Sequence, residues 1–417
     1  MPRPALITAE EARQAVLAQV SALPAEPVEL GRAAGRVLAE PVAAPADVPA
    51  FDNSAMDGYA MRAEDGSAAN VDAPLELELV AESRAGRPAD LPVDRGQAIA
   101  ISTGAKLPAG ADCVVRIEDT EQRERRVLIL DAPVPGLNVR RAGEDLSAGE
   151  VALAGGTVLG PAELGVIASV GRAQVVCHRR PAVAVLSTGD ELRPPGGDLG
   201  PGQIHDTNSH SVAALAALAG GLVSPPGWAG DTETEVNDAL APALAADVAI
   251  VCGGVSVGAH DHVRPALTAL GVEERFWGVA LKPGRPTWFG VREGGGLVFG
   301  LPGNPVSAIV TFLLFVRPAL LALAGHEEDV ERTTAVLDDA YPKQPGRAHA
   351  VRCRLRLAED GWHVRPTKAQ GSHVLSSMLG ADCLAFLPTD AESLKAGSRV
   401  EIMLLPKLPL RGKMVDR

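Results

Sequence analysis

The segment FDNSAMDGYA, residues 51–60, concentrates polar groups that can do chemistry. It places the carboxylates of Asp52 and Asp57, the amide of Asn53 and the hydroxyl of Ser54 close together along the chain. Carboxylates are ligands for divalent cations, and amides and hydroxyls bind polar groups of small molecules. Because the segment contains little apolar material, we expect it to contact a polar ligand rather than to pack in a core.

Four further polar strings are STGDEL (187–192), IHDTNS (204–209), GGVSVGAHD (253–261) and LPGNPVS (301–307). Three of them directly follow an apolar run that is typical of a strand. The carboxyl ends of parallel strands meet at one edge of a sheet, where ligands bind. The glycines of GGVSVGAHD allow backbone N–H groups to approach an anion, and Asp261 is available for a metal or a water. We therefore expect these strings to converge on one rim.

Individual residues in these strings have more than one interpretation. The adjacent carboxylates Asp190 and Glu191 can hold Mg²⁺ through water. Asn304 is expected to cap a helix that begins at Pro305, so that free N–H groups and the Ser307 hydroxyl face outward towards an oxyanion. Taken singly, each string is also consistent with an ordinary turn or helix start.

The charge of the chain restricts its partners. A formal net charge of -13 argues against nucleic-acid binding, which requires a field of Lys and Arg, and an aromatic content of 3% argues against base stacking. An anionic substrate therefore needs local cations, and the string KPGRP supplies Lys282 and Arg285. Zinc is not expected, because His260 and His262 flank Asp261 without a third ligand at a motif spacing.

The sequence predicts a cytoplasmic protein without a membrane segment. The most apolar run of the C-terminal half, Val306–Val316, is expected to be too short to cross a bilayer and to end at Arg317 and Pro318. The N-terminus lacks an apolar signal core, and the five cysteines show no CxxC spacing.

The pattern of apolar residues predicts the elements that position these groups. Thr8 and Glu11 form a capping box ahead of an Ala- and Leu-rich helix. The strands AVAVLS, LVSPPGW and DVAIVCGG alternate with helical segments, which predicts a largely parallel sheet with helices on both faces. We predict an α/β multidomain protein with a discontinuous helical/β module (1–44 and 138–176), an inserted β domain (45–137), a three-layer βαβ domain (177–326) and a C-terminal β-barrel-like domain (327–417).

Taken together, the strings resemble one family over nearly the whole chain. They are FDNSAMDGYA, STGAKLPAGAD (102–112), RRAGED (140–145), STGDEL, GGVSVG with Asp261, KPGRP, LPGNPVS and QGSHVLSS (370–377). In this order they resemble the molybdopterin molybdenumtransferases, the MoeA and gephyrin E-domain family. The resemblance implies an elongated homodimer of four-domain subunits. The βαβ domain, which binds molybdopterin, would complete a cleft against the β domain of the other subunit.

The resemblance also implies a reaction, in which molybdate is inserted into adenylated molybdopterin with Mg²⁺-dependent release of AMP. It assigns Asp57, Glu191 and Asp261 to Mg²⁺ and the attacking water or oxo group, Lys282 to the charge on phosphate, and Thr103 to the catalytic centre. The residues that it implies for binding the adenylated pterin are Ser187, Thr188, Gly189, Asp190, Asn208, Gly253, Gly254, Ser256, Gly258, Asp231, Asp145, Pro302, Gly303 and Asn304. Those that it implies for molybdate are Arg285, Pro286, Ser307, Arg352 and Ser372.

Two positions depart from the family pattern, and one assignment has an alternative. Gly278 stands where many members have lysine, and Arg285 replaces a second lysine, although arginine still binds a tetrahedral oxyanion. Arg354 is the alternative to Arg352, because it lies two residues further along the same strand face.

Three alternative functions remain open at this stage. The first is the preceding step, molybdopterin adenylylation, against which the additional β domains argue. The upstream adenylyltransferase is also the partner protein that the resemblance suggests. The second is a non-catalytic or regulatory paralogue that acts as a scaffold, and the third is a tungstate-inserting enzyme. The residues do not separate tungstate from molybdate, because the two ions are nearly equal in size and charge.

Overall fold

The computed structural model describes residues 6–255, 262–327 and 332–406. The chain divides into two compact units. The larger unit comprises Met1–Pro27, Gly35–Ala39 and Val176–Arg417, and the smaller unit comprises Val28–Ala34 and Glu40–Val175.

The α-helices of the described residues are α1 Ala9–Leu17, α2 Pro161–Ser169, α3 Asn208–Leu218, α4 Glu233–Ala243, α5 Val263–Ala269, α6 Pro305–Thr311 and α7 Arg317–Leu323. The first twelve strands are β1 Ala25–Glu29, β2 Val42–Ala43, β3 Asn53–Ser54, β4 Gly58–Met61, β5 Leu75–Ser83, β6 Gln97–Ile101, β7 Cys113–Arg116, β8 Thr120–Arg123, β9 Arg126–Ile129, β10 Val139–Arg140, β11 Val151–Leu153 and β12 Gln174–His178.

The remaining strands are β13 Ala182–Thr188, β14 Leu192–Arg193, β15 Ile204–His205, β16 Leu222–Val223, β17 Gly227–Ala229, β18 Val248–Cys252, β19 Val272–Trp277, β20 Leu281–Lys282, β21 Trp288–Arg292, β22 Leu297–Leu301, β23 Arg332–Leu337, β24 Tyr341–Pro342, β25 Ala348–Ala358, β26 Gly361–Pro366, β27 Cys383–Leu387, β28 Ser393–Leu394 and β29 Arg399–Leu404.

The larger unit contains a seven-stranded mixed sheet. Its order is β16-β13-β18-β22-β21-β19, and β17 pairs with the end of β13. Strands β16, β17, β13, β18 and β22 are parallel, whereas β21 and β19 form an antiparallel edge. The parallel part agrees with the sequence-based expectation, and the antiparallel edge makes the sheet mixed.

Helices cover both faces of this sheet because its strands alternate their side chains between two cores. Val183 and Ile250 belong to one core with residues of α1, α3, α6 and α7. Ala249 and Val251 belong to the other core with residues of α4 and α5. Alternate residues of a strand point to opposite faces, so a strand with apolar residues on both faces is covered on both. The polar ends of the strands are left free at the rim.

Two sequence-based expectations about this unit are wrong in detail. The segment LVSPPGW is not one strand but two, β16 and β17, because the two prolines between them cannot donate to a ladder. The apolar run does not end at Arg317 and Pro318, since α6 continues through a π-helical turn, Phe312–Val316, into α7.

The resulting helical run, Pro305–Leu323, is long and apolar enough to cross a membrane, but 83% of its most apolar window is buried inside the protein. Such burial is typical of a core helix. The capping box of α1 is present as predicted, with the Glu11 N–H donating to Thr8 Oγ1 at 3.1 Å.

The C-terminal strands form a second sheet with its own core. Strand β25 pairs with β26 and β27, β26 with β23, and β29 with both β23 and β27, so these five strands close a ring. Strand β20, which carries Lys282, adds to this ring beside β25. The pairing places the KPGRP string next to the strand that contains Arg352.

The smaller unit is built on a six-stranded sheet with the order β7-β4-β6-β5-β9-β8. Strand β4 lies inside this sheet, and its residues Tyr59, Ala60 and Met61 are buried. The expectation that FDNSAMDGYA touches a ligand rather than packs is therefore wrong for residues 58–60 and for Asn53 and Ser54. Tyr59 and Ala60 pack into two small cores, whereas Asp52 and Asp57 remain accessible to a ligand.

Candidate functional site

The polar strings of the larger unit meet at the rim of the seven-stranded sheet. The Gly253 N–H donates to the Leu301 carbonyl oxygen at 3.0 Å, and Asn208 Nδ2 donates to the Gly303 carbonyl oxygen at 2.7 Å. Gly253 has a φ of +97°, and a Cβ atom there would approach the Thr188 carbonyl oxygen to 2.8 Å. A residue with a side chain does not fit this backbone approach, so the glycine is required by the geometry.

Two buried polar atoms at this rim have no hydrogen-bond partner within the described residues. They are Thr188 Oγ1 and Asn208 Oδ1. Nearby Ser187 and Asp206 are satisfied, since Ser187 Oγ donates to Asp206 Oδ1 at 3.0 Å and that oxygen also accepts the Asn208 N–H. A buried polar atom without a partner costs free energy, so the two free oxygens indicate a place for polar groups of a ligand.

The carboxylates at the rim are held by backbone contacts. The Asp190 N–H donates to Asp231 Oδ2 at 3.1 Å, and the Asp231 N–H donates to Asp190 Oδ1 at 3.0 Å. Glu191 is exposed, and its carboxylate lies over Gly189, where a Cβ would come within 2.6 Å of Glu191 Oε2. The structure thus links Asp190 to Asp231 and places Glu191 beside the same turn.

A cavity of about 600 Å³ adjoins this rim at Asn304. Its lining comes from four segments that lie far apart in the sequence, and it consists of Leu281, Lys282, Pro283, Gly284, Arg285, Pro286, Asn304, Ser307, Arg347, Gln370, Gly371, Ser372 and His373. The lining has three basic side chains and no Asp or Glu among the described residues. The cavity is therefore a positively charged pocket in an acidic protein, which suits a small oxyanion.

The backbone around the cavity is fixed by hydrogen bonds. The Val306 N–H at the start of α6 donates to the Ser372 carbonyl oxygen at 3.1 Å, and Ser307 is only 4% exposed. Asn304 occupies the N-cap position, but its side chain makes no capping hydrogen bond. The expectations of free outward N–H groups and a capping Asn304 are thus wrong in part, because the loop at residue 372 covers the helix start.

The pKa of His349, which lies beside the cavity, is lowered to about 4. Burial is the main cause, and the positive charges of Lys282, Lys343 and Arg347 contribute to the same shift. A histidine with such a pKa is neutral at physiological pH. His349 therefore adds no positive charge beside the cavity.

Arg352 is buried behind the cavity and Arg354 is exposed, which distinguishes the two candidates. Arg352 is 0% exposed, and its Nη2 donates to the Ala369 and Gly371 carbonyl oxygens at 3.2 Å each. Its Nε and Nη1 have no partner in the described part of the chain, and burial lowers its pKa. Only Arg352 thus offers unpaired donors beside the loop that carries Ser372.

The smaller unit brings together three of the family strings. Strand β3 pairs with β10, which places Asn53 opposite Arg140 of the RRAGED string. Asp57 Oδ1 accepts from the Thr103 N–H at 2.7 Å and from Thr103 Oγ1 at 3.2 Å. Asp57 is exposed, so its other carboxylate oxygen faces solvent.

A second carboxylate of the same segment is tied to the RRAGED string. Asp52 accepts from the Ala142 N–H at 2.8 Å and from Arg141 Nη1 at 2.6 Å, and these contacts lower the Asp52 pKa. Asp145 is exposed, and its N–H donates to the Val48 carbonyl oxygen. The contacts of Asp52 thus fix the start of the FDNSAMDGYA segment against the RRAGED string.

The structure therefore groups the predicted residues unevenly. Thr188, Asn208, Gly253 and Gly303 meet at the rim, while Lys282, Arg285, Pro286, Ser307 and Ser372 meet at the cavity. Gly254 lies at the rim beside Thr188, and Pro302 is the first residue of the loop that follows β22. Ser256, Gly258 and Asp261 lie outside the described residues. Within the described ranges, no group of three or more His, Cys, Asp or Glu side chains is placed to hold a metal ion.

Among the titratable side chains that line the cavity, sequence reasoning missed two, Arg347 and His373. His373 lies inside the QGSHVLSS string, so the sequence contained a signal that could have identified it. Arg347 has no comparable local signal, because it reaches the cavity only through the parallel pairing of β20 with β25. That pairing is a tertiary contact between segments far apart in the chain.

Three family models match the chain. They are the MoeA N-terminal region (domain I and II) at residues 7–171, the probable molybdopterin binding domain at residues 184–322 and the MoeA C-terminal region (domain IV) at residues 334–405. Together these models span most of the chain and include every string described above.

Individual relatives and solved structures agree with these models. The chain is 37% identical over 403 residues to a molybdopterin molybdenumtransferase of Haemophilus influenzae, covering 95% of this chain and 98% of that protein. It is also 37% identical to molybdopterin molybdenumtransferase 2 of Mycobacterium tuberculosis, covering 90% and 94%. A crystal structure of a molybdopterin biosynthesis MoeA protein from Pyrococcus horikoshii superposes with a TM-score of 0.80 at 32% identity, covering 96% and 100%.

Proposed function

The chain belongs to the MoeA family of molybdopterin molybdenumtransferases, and on that premise we propose that it inserts molybdate into adenylated molybdopterin and releases AMP. The proposed activity is that of a transferase in molybdenum cofactor biosynthesis. The observation that supports it most directly is the cavity lined by Lys282, Arg285, Ser307 and Ser372.

This cavity has the chemistry that a tetrahedral dianion requires. A cation about 4 Å from an oxyanion contributes roughly 4 kcal/mol at an effective dielectric of about 20, before desolvation is subtracted. Lys282 and Arg285 supply two such charges, and the hydroxyls of Ser307 and Ser372 supply neutral donors. The unpaired Nε and Nη1 of Arg352 lie behind the loop that carries Ser372 and add positive potential.

The adenylated pterin is proposed to bind along the rim that adjoins the cavity. Gly253 allows a close backbone approach, and Thr188 Oγ1 and Asn208 Oδ1 offer buried hydrogen-bonding capacity. Asn208 also joins the two regions, because it donates to Gly303 next to Asn304 of the cavity lining. An oxyanion in the cavity would then lie beside a pterin bound at the rim.

In the proposed mechanism, the residues of this chain bind and orient the two substrates. Lys282 neutralises the charge that develops on phosphate as AMP leaves, and Arg285 holds molybdate. Asp57, fixed by Thr103, presents a carboxylate that orients a water or an oxo group. When bound, Mg²⁺ would supply positive charge beside the leaving phosphate. Dependence on Mg²⁺ through Asp57, Glu191 and Asp261 remains a prediction.

The test measures AMP release by the purified protein supplied with adenylated molybdopterin, molybdate and Mg²⁺. We expect Arg285→Gln to raise the molybdate concentration needed for half-maximal AMP release by about tenfold, because a lost charge pair removes more than about 1.4 kcal/mol. Arg354→Gln is the matched control, since Arg354 is exposed and should leave that requirement unchanged.

Failure of the wild-type protein to release AMP, or an equal effect of both arginine variants, would contradict the proposal. A scaffold paralogue would give the first of these results. Replacing molybdate by tungstate in the same assay compares the two ions, and a chelator added to it tests the dependence on Mg²⁺.

A further inference from the structure

Trp228 is a large aromatic residue at the rim for which the proposed function has no role. It lies in β17, which pairs with the end of β13 and brings Trp228 level with Ser187. The side chain is 44% exposed, and its Nε1 donates to the Gly189 carbonyl oxygen at 3.1 Å. An exposed tryptophan is therefore held over the turn of the STGDEL string.

The position of the indole ring is fixed by two contacts. Besides the hydrogen bond to Gly189, the guanidinium carbon of Arg193 lies 5.7 Å from the ring centroid. Arg193 is itself held, since its Nη1 donates to the Asp190 carbonyl oxygen at 3.0 Å. A ring that is already ordered loses little conformational entropy when a ligand stacks on it.

The unpaired oxygen of Asn208, at the same rim, indicates what kind of ligand would stack on Trp228. Asn208 Nδ2 donates to Gly303, so the amide orientation leaves Oδ1 as a buried acceptor that needs a donor. The oxygens of an ionised phosphate or molybdate do not donate hydrogen bonds. An amino group on a heterocycle does, and such a heterocycle is also flat enough to stack on tryptophan.

We propose that Trp228 is a stacking surface for a flat, amino-substituted nitrogen heterocycle, and that the free acceptor of Asn208 selects for such a ligand. This inference rests on the proposed function, whose substrate contains two heterocycles of this class, a pterin and an adenine. It adds a binding residue that recognises the ring rather than the oxyanions.

The test measures binding rather than turnover, by titration calorimetry with AMP, unsubstituted pterin and ribose 5-phosphate. We expect Trp228→Leu, which keeps an apolar side chain but removes the aromatic face, to weaken binding of one or both heterocycles by about tenfold or more. Ribose 5-phosphate, which has no aromatic heterocycle, should bind equally to both proteins. Trp228→Phe should recover most of the loss. The heterocycle whose binding weakens identifies the ring that stacks.

Trp362 provides a matched control, because it is 41% exposed and lies in strand β26 of the C-terminal ring. The stacking ligand should quench tryptophan fluorescence in the wild type and in Trp362→Leu, but not in Trp228→Leu. Equal heterocycle binding by wild type and Trp228→Leu overturns this inference alone, as does an equal loss for ribose 5-phosphate or no recovery with phenylalanine. A wild-type protein that binds neither heterocycle contradicts the proposed function itself.

Discussion

At the scale of single residues, Gly278 shows why a cation found in many family members is missing here. Gly278 has a φ of +87°, in the left-handed region, and a Cβ there would lie 2.8 Å from Leu6 Cδ2. The hairpin around it is fixed, since the Gly278 N–H donates to the Thr287 carbonyl oxygen at 2.8 Å. The local backbone favours glycine, and the positive charge of the cavity comes instead from Lys282, Arg285 and Arg347.

The first prediction concerns restoring the missing lysine. Gly278→Lys should destabilise the protein by about 1–2 kcal/mol, because a side chain in the left-handed region is strained. The new charge should not lower the molybdate requirement in the AMP-release assay. Thermal unfolding and that assay measure the two effects, and Gly278→Ala separates the backbone cost from the charge. A lysine variant of unchanged stability with a lower molybdate requirement would refute this explanation.

The individual site residues differ in how far the sequence predicts them. Arg285, Ser307 and Ser372 belong to recognisable strings, and the structure places all three at one cavity. The unpaired atoms of Thr188 and Asn208 are not predictable in this way, because burial and pairing depend on which loops pack over them. The same holds for Arg352, whose burial relative to Arg354 follows from the closure of the C-terminal ring.

At the scale of elements, the FDNSAMDGYA segment both presents carboxylates at the surface and supplies the buried strand β4. Asp52 and Asp57 lie at the surface ahead of this strand, whereas Gly58 begins the strand between β6 and β7. A Cβ at Gly58 would collide with the Val115 carbonyl oxygen of β7. Asp57 and Gly58 are neighbours in the chain, but the first is available for chemistry and the second is required for packing.

These two roles predict different outcomes for substitutions at neighbouring positions. Gly58→Ala should destabilise the protein by about 1–3 kcal/mol, because strand β4 must move away from β7. Asp57→Asn should leave stability unchanged and abolish AMP release, since it removes an exposed charge rather than a packed side chain. Thermal unfolding and the AMP assay on both variants check this, and loss of stability in Asp57→Asn would count against its assigned role.

The types of most long elements could be predicted, but several of their ends could not. The apolar run of DVAIVCGG predicts a strand that corresponds to β18, and the alternation in AVRCRLRL (350–357) predicts a strand that corresponds to β25. The helical run Pro305–Leu323 is longer than the sequence predicts, because a charged residue followed by a proline normally ends an apolar segment. A π-helical turn, which continues the helix here, has no signal in the composition. Local signals predict element types, and packing decides where elements end.

At the scale of the whole molecule, the candidate residues are divided between the two compact units. Asp57 and Thr103 belong to the smaller unit, whereas Lys282, Arg285 and the sheet rim belong to the larger unit. The proposed reaction requires both sets, and the family resemblance implies that they are combined in a homodimer. The four predicted domain boundaries remain a prediction. Composition indicates separate cores, but it does not fix the residues at which one domain ends and the next begins.

The last prediction tests that assembly by mixing inactive subunits. Asp57→Asn and Lys282→Gln homodimers should both be inactive. A heterodimer of the two can be co-expressed with different tags and purified through both. In it, one subunit has an intact Asp57 and the other has an intact Lys282. If each site combines these residues from different subunits, the heterodimer should recover about half of the wild-type rate of AMP release, because one of two symmetric sites is complete. If each site lies within one subunit, both sites carry a lesion and no activity returns. An inactive heterodimer of normal size and stability would therefore rule out a shared site, whereas recovery would show that dimerisation is part of catalysis rather than only of stability.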